Sequence, residues 1–445
     1  MEEPLQQPEA LCSRPRILSS CSTAFPPSSR PSSASLLVDQ QRRTSSGAAC
    51  RESRDSPSEG SRPSGREEAA LVEREERRRR PEAARQWRQG CGLGPGLQGF
   101  CRLLFGSDAV EYDFGSLERI AHLGHGTFGK VSLVWCNSTK RCFALKAVSK
   151  GLVVKRRLQS AVRSEKLIMK RLDSPFLTKL AATFNRDQHL YILMEAVRGG
   201  DLHETYIRND FWGSREHARF YTACVVGGLE YMHERHIIYR DLKMENVVID
   251  ARGYAKLCDF GLSRFLWPSI GSAYTVCGTP EYKAPEIDKG GYDCAVDWWA
   301  MGVLLYEMMI GVTPFLAESA AGIQERAQAG IDEFIPAGHE RPWVDLVRAL
   351  CRPVPSQRLP LLKGGVESLH GHAWFRQPAL DWDSLRQCRM AAPYVPQLDG
   401  PRAVGHFNSK PGLAEDVPDS GLDIGWDDDY EDPMGPRFPD ESEAA

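Results

Sequence analysis

The hydrophobic pattern of this chain changes period once, and the change divides it in two. From about Leu117 the apolar residues are spaced as in β-strands. Leu123–Val134 reads as strand, glycine turn and strand. Phe143–Val148 and Tyr191–Glu195 read as two more strands, the second closed by Gly199-Gly200. Ser160–Leu172 has helical spacing, with Val162, Leu167, Ile168 and Leu172 as its apolar positions. Beyond Gly200 helices dominate, most clearly over His217–His233, Asp297–Ile310 and Trp343–Leu350. A β-rich part followed by an α-rich part predicts an α+β chain of two lobes with a cleft between them. The 445 residues, 42% of them hydrophobic, suffice for such a domain of about 250–300 residues with flanks to spare.

The flanks read differently. Residues 1 to about 65 are rich in Ser, Pro and Arg and bury too little apolar surface to offset their ordering entropy. Arg66–Gln89 shifts to Glu, Ala and Arg, includes Arg77–Arg80 and is interrupted by Pro81. It reads as a charged exposed segment, with a basic docking or autoinhibitory element as the sharper alternative. Residues 1–116 are therefore expected to be a mostly disordered arm. After Phe375 the chain is expected to be loop-like and to turn acidic. A net charge of -3 gives no global pull towards nucleic acid or anionic membrane. No apolar run reaches about 18 residues, so no transmembrane segment is expected. The start lacks a signal-peptide pattern, and Glu2 excludes N-myristoylation. The 13 cysteines are scattered without a Cys-x-x-Cys pair. They read as reduced thiols of a cytoplasmic protein, compatible with nuclear access, rather than a disulfide or zinc framework.

Chemistry concentrates in a few short runs. Tyr239-Arg-Asp-Leu-Lys-Met-Glu-Asn246 is followed by Asp259-Phe260-Gly261. Asp241 can orient a hydroxyl and accept its proton, and Asn246 and Asp259 offer oxygen ligands to magnesium. Asp-Phe-Gly alone is a turn by default; its placement after Asp241 gives the pair its force. Gly124-His125-Gly126-Thr127-Phe128-Gly129 is a glycine-rich turn whose backbone can approach phosphates closely. The same spacing occurs in dinucleotide-binding folds, but those want a helix next, and Val131–Trp135 is strand-like. Lys146 lies in an apolar strand, where an unpaired ammonium is costly. Glu165, on the following helix, is its candidate partner.

At these residues the chain resembles the eukaryotic protein kinases, from about Leu117 to Phe375. The resemblance implies a bilobal kinase fold with an N-lobe over 117–197, a C-lobe over 198–375 and a tail over 376–445. It implies ATP and Mg²⁺ as cofactors and protein substrates. Leu123, Gly124, His125, Gly126, Thr127, Phe128, Gly129, Lys130 and Val131 would cover the nucleotide. Lys146, paired with Glu165, would hold its phosphates, and Glu195 to Val197 would bond its adenine. Met194 is read as core and as a gate to that pocket. Asp241 would be the base, Lys243 would neutralise the transferred phosphate, and Asn246 and Asp259 would bind metal. Ala284-Pro285-Glu286 closes the activation segment, and Arg358 matches the arginine that pairs with Glu286. Cys258 and Cys277 read as small buried residues, with reactive thiols as the alternative.

Tyr239 before Arg-Asp and Thr275-Val-Cys-Gly-Thr-Pro-Glu-Tyr282 resemble the AGC group of serine/threonine kinases. Arg163-Ser-Glu-Lys166, Arg252–Leu257 and the tail runs Pro393–Pro396, His406–Ser409 and Gly425–Tyr430 resemble the cyclic-nucleotide-dependent kinases, the cGMP-dependent one above all. Met244 stands where that family usually has Pro. No cyclic-nucleotide-binding domain is expected in residues 1–116, which leaves room for a separate regulatory subunit. Thr275 matches the group's regulatory phosphorylation site, with Arg240 and Arg264 as partners for its phosphate. Asp201, Glu245 and Glu307, with Thr279, match the substrate-binding positions, so substrates with basic residues upstream of Ser or Thr are expected. Arg42-Arg43-Thr44-Ser45 has that form and is a candidate for self-phosphorylation. A pseudokinase scaffold without catalysis is the alternative. It is disfavoured because Lys146, Glu165, Asp241, Asn246 and Asp259 are all present.

Overall fold

A computed structural model describes residues 109–126, 129–266, 271–338, 341–398, 400, 402 and 425–438. The expected arm up to residue 108, with Arg42–Ser45, and the tail run His406–Ser409 lie outside the described residues.

Strand β1 (Ala109–Glu111) precedes the predicted start at Leu117. Then come β2 (Leu117–Gly126), β3 (Gly129–Cys136), β4 (Arg141–Ser149), helices α1 (Lys150–Lys155) and α2 (Gln159–Met169), β5 (Leu180–Asn185) and β6 (His189–Glu195). The strands β2 to β6 form one antiparallel sheet in the order β2-β3-β4-β6-β5. Central β4 is buried without alternation from Cys142 to Lys146, because both faces of the sheet are covered. One face packs Val134, Phe143, Leu145, Phe184 and Leu193 with Tyr112. On the other, Val148 and Ile192 join Val162, Ile168 and Met169 of α2 in the main core. The apolar spacing that predicted α2 is the side it buries; its observed end is Met169 rather than Leu172.

The second lobe is helical. It contains α3 (Leu202–Asn209), α4 (Arg215–His233), the short strands β7 (Ile237–Ile238), β8 (Val247–Ile249), β9 (Ala255–Leu257) and β10 (Arg264–Phe265), and then α5 (Ala295–Ile310). The strands pair as β7 with β10 and β8 with β9, so the runs 239–246 and 258–263 both lie between the two pairs. Helix α5 is buried from Ala295 to Met308, which explains its lack of a polar face. It ends at Gly311, whose φ of +89° suits glycine. Helices α6 (Ala320–Ala329), α7 (Arg341–Leu350), α8 (Gly365–His370) and α9 (Ala373–Arg376) complete the lobe.

The loop-like tail expected after Phe375 needs correction. It holds helix α10 (Trp382–Arg386) and strand β11 (Met434–Pro436), and β11 pairs antiparallel with β1. Strands this short carry little periodic signal and exist only through a partner more than 300 residues away in sequence. Among the described residues no helix is long and apolar enough to cross a membrane.

Candidate active site

The sheet brings the glycine turn to Lys146. In the β2-β3 hairpin His125 pairs with Lys130 and Gly126 with Gly129, and across β4 Val131 lies opposite Lys146. Gly129 has no room for a side chain, since a Cβ there would lie 1.8 Å from the Ala147 carbonyl oxygen. A Cβ at Gly124 would meet nothing within 4 Å, so the hairpin leaves open space at that position. Leu123 and Val131 are half-buried on the same hairpin; Thr127 and Phe128 lie outside the described residues.

Lys146 is sealed at 2% exposure and donates to Glu165 Oε1 at 2.6 Å and to Asp259 Oδ1 at 2.9 Å. Burial pulls against its charge, but Asp259 and Glu165 outweigh burial and push the ammonium well above its ordinary range. It therefore stays protonated. β4, α2 and the segment after β9 each contribute one member of this triad. Asp259 adopts φ +54°, a left-handed conformation uncommon for a residue with a side chain.

In the second lobe Asp241 is buried and accepts from Thr279 Oγ1 at 3.0 Å and from Asn246 Nδ2 at 2.8 Å. Lys243 Nζ lies 3.5 Å from Asp241 and donates to Thr279 at 3.3 Å. Burial raises the Asp241 carboxyl above the usual aspartate range; Lys243, Thr279 and Asn246 oppose this, and Asp259 adds to it. A carboxylate of raised basicity, bonded to a hydroxyl and next to an ammonium, is suited to orient a second hydroxyl and take its proton.

A hard divalent cation takes oxygen donors. The Asp259 carboxylate and the Asn246 carboxamide provide them. The Asn246 nitrogen is committed to the carboxylate and backbone carbonyl of Asp241, which leaves its oxygen as the coordinating atom. Among the described residues no group of three His, Cys, Asp or Glu is arranged to hold a metal by itself. Such a site takes its remaining oxygens from a phosphate-bearing ligand, and these residues fit that role.

Asp297, at the start of the helix expected from the sequence, also anchors the loop before Asp241. Fully buried, it accepts from the backbone N–H of Tyr239 at 2.9 Å and of Arg240 at 2.8 Å, and His233 Nε2 lies 2.7 Å away. It thereby fixes the loop before Asp241, where Arg240 adopts φ +70°. The available signal was an aspartate in the first turn of a helix whose one other charged residue is Glu307. Arg358, fully buried, makes a two-pronged pair with Glu286 at 2.5 and 2.8 Å.

The remaining expected residues fall into place unevenly. Glu195 is ion-paired with Lys256 at 2.5 Å; Val197 is buried beyond it and Met194 packs against the core. Thr275 is exposed, and its carbonyl accepts from Tyr292 Oη at 2.6 Å. Arg240 reaches that same hydroxyl at 3.0 Å and Leu262 O at 2.6 Å, so it meets Thr275 through Tyr292. Glu245 is exposed. Asp201 is half-buried and caps α3 by accepting from Glu204 N at 2.8 Å. Glu307, expected as a receiver of substrate, is buried and accepts from the Tyr282 hydroxyl, so its first task is to hold the loop after Thr279. Cys258 is half-buried, and its desolvation raises the thiol far above its usual range, which disfavours a thiolate. Cys277 is buried.

A two-lobed fold with a lysine–glutamate pair facing an Asp–Asn–Lys loop defines a protein kinase. Residues 117–375 match the protein kinase domain, and the chain belongs to that family. It is an enzyme of the serine/threonine type, similar to the cyclic-nucleotide-dependent kinases. It is 37% identical over 318 residues to the human cAMP-dependent protein kinase catalytic subunit PRKX, covering 70% of this chain and 87% of that one. It is 38% identical over 322 residues to human cGMP-dependent protein kinase 2, covering 71% of this chain and 41% of that one. With cGMP-dependent protein kinase isozyme 1 of Drosophila melanogaster the identity is 38% over 318 residues, 71% of this chain and 41% of the other. The chain thus spans less than half of the cGMP-dependent relatives it matches.

Proposed function

We propose that this chain transfers the γ-phosphate of ATP to serine or threonine hydroxyls of proteins whose sites carry basic residues upstream. The observation that carries this reading is that Lys146 and Glu165 of the first lobe are joined to Asp259 of the second, next to the cluster of Asp241, Asn246 and Lys243, where Cys258 N–H donates to Asn246 O at 3.0 Å. Lys146, permanently charged, binds phosphate oxygens. Asp241 orients the acceptor hydroxyl and takes its proton, and Thr279 holds the Asp241 carboxylate in place. Lys243 offsets negative charge next to the reacting oxygen. Mg²⁺, held by Asn246 and Asp259, would supply further charge neutralisation. Glu245, exposed just beyond the reacting loop, supports a preference for arginine upstream of the acceptor, with Asp201 behind it.

A positional peptide array with ATP and Mg²⁺ tests the substrate class. Peptides of the form Arg-Arg-x-Ser should be phosphorylated best; a preference for acidic or proline-directed sites contradicts the reading. Thr275, exposed on the segment after Asp259, is proposed to be phosphorylated and to order that segment. Thr275→Ala should then lower activity about tenfold, and equal activity of the purified mutant and wild type excludes it. The reading also places the chain in the cytoplasm, with regulation by a separate subunit; fractionation and co-purification test these two parts.

A further inference from the structure

Among the described residues, three serines or threonines stand three places after an arginine: Ser160 after Arg157, Ser174 after Arg171 and Thr222 after Arg219. The fold seals two of them. Ser174 is buried, and its hydroxyl accepts from Phe176 N at 3.3 Å. Thr222 is fully buried and donates to Ala218 O within α4. Ser160 is exposed, and so are Lys155, Arg156 and Arg157 before it. Another molecule can therefore reach both this hydroxyl and the cations that precede it.

The local structure gives way at the same place. Arg156, Arg157 and Leu158 lie between α1 and α2, with Arg157 at φ +57°, and Ser160 is the second residue of α2. Leu158 stands at the N-cap of α2 and makes no side-chain hydrogen bond there. By contrast Ser149, Asp201, Ser319 and Asp381 cap α1, α3, α6 and α10 with their side chains. A first turn without such a cap opens readily, which lets residues 157–160 be presented to a second cleft. That turn also contains no acidic residue. A phosphate on Ser160 would bring close to two negative charges to the helix end that favours them. Arg163, paired with Asp429 at 2.9 Å and 40% exposed, lies three residues further on and is a neighbour of Ser160 on the helix surface.

We propose that Ser160 is a phosphorylation site for arginine-directed kinases, read through Arg157, and that its phosphate orders the first turn of α2. Modification of one copy of this chain by another rests on the phosphotransfer reading; the site itself does not. In that reaction Ser160 Oγ bonds to the γ-phosphorus of ATP while the bond from that phosphorus to the β–γ bridging oxygen breaks. ADP leaves, and the serine proton passes to Asp241 of the acting copy. Exposed Glu245 of the acting copy would receive Arg157.

The test uses the full chain carrying Asp241→Asn as acceptor, isotopically labelled so that its peptides are distinct. It is incubated with wild type, ATP and Mg²⁺. Mass spectrometry should find phosphate on Ser160 of the labelled copy and none on Ser174 or Thr222. Arg157→Ala in the acceptor should lower incorporation at Ser160 at least about tenfold, the loss expected for a hydrogen bond to a charged group. Hydrogen exchange over 159–163 should be about two- to fivefold slower in the phosphorylated chain than in the unmodified one, with α4 unchanged. An unmodified Ser160, next to a wild type that phosphorylates an Arg-Arg-x-Ser peptide, overturns the site. So does incorporation indifferent to Arg157→Ala. Unchanged exchange over 159–163 overturns the effect on α2. A wild type that transfers no phosphate to the peptide counts against the phosphotransfer reading, and an arginine-directed kinase of other origin then takes its place. Phosphate on Ser160 from that enzyme upholds the site, and its absence overturns it.

Discussion

Asp241 and Glu165 are both nearly sealed carboxylates of one cleft, yet they are held in different ways. Asp241 sits on a loop whose backbone is fixed by Asp297, the buried first-turn aspartate of the most enclosed helix in the second lobe. Glu165 sits on a helix whose outer side is gripped by a tail segment more than 260 residues further along the chain. One half of the site is thus held by the core beneath it, and the other carries side-chain contacts to the tail.

The strongest way to break the comparison is to attack the fixed half. Asp297→Ala removes the acceptor of two backbone N–H groups and should cost about 3–6 kcal/mol, at about 1.5–3 kcal/mol for each hydrogen bond to a charged group. Thermal or urea denaturation checks this. A loss below about 1 kcal/mol would show that the loop before Asp241 is held by something else.

The pH profile probes the same half with a smaller perturbation. Burial raises the folded-state pKa of Asp241. Activity should therefore fall on the acid side at a pH above the ordinary aspartate value of about 3.9, as the carboxylate loses its ability to accept a proton. For a group whose folded-state pKa is raised, the contribution to stability runs the other way: it is present at low pH and lost as pH rises through the folded pKa. Activity and this part of the stability should move in opposite directions across one window. A profile flat down to ordinary aspartate titration contradicts the assignment.

The smallest effect is expected at the rim. Glu245 is exposed, and an exposed ion pair is worth about 1 kcal/mol. Glu245→Ala should raise KM for an arginine-rich peptide about fivefold and leave kcat nearly unchanged. An equal rise for a peptide lacking arginine would show that Glu245 does not read basic residues.

The same division governs how much was legible in the sequence. Lys146 and Glu165 could be paired in advance because a buried lysine in a strand demands a carboxylate and the next helix offers one. Asp241, Asn246 and Asp259 carry their chemistry in their spacing. Asp297 was seen as a helix start but not as an anchor, because accepting from another segment's backbone leaves no periodic trace. Glu307, expected to face substrate, is buried against Tyr282, and side-chain type alone does not reveal that burial. Lys166 and Tyr430 were noticed as resemblances, and their contact was not foreseen, since no local pattern links residues so far apart. The β1-β11 ribbon was missed for the same reason.

The central claim is that the cleft transfers phosphate with Asp241 as the group that accepts the hydroxyl proton. The most direct test is phosphate transfer from ATP with Mg²⁺ to an Arg-Arg-x-Ser peptide, wild type against Asp241→Asn. The variant keeps the shape of the side chain and loses its basicity. The wild type should phosphorylate the peptide and the variant should lose about 10²–10⁴ in kcat. A variant as active as the wild type would contradict the account.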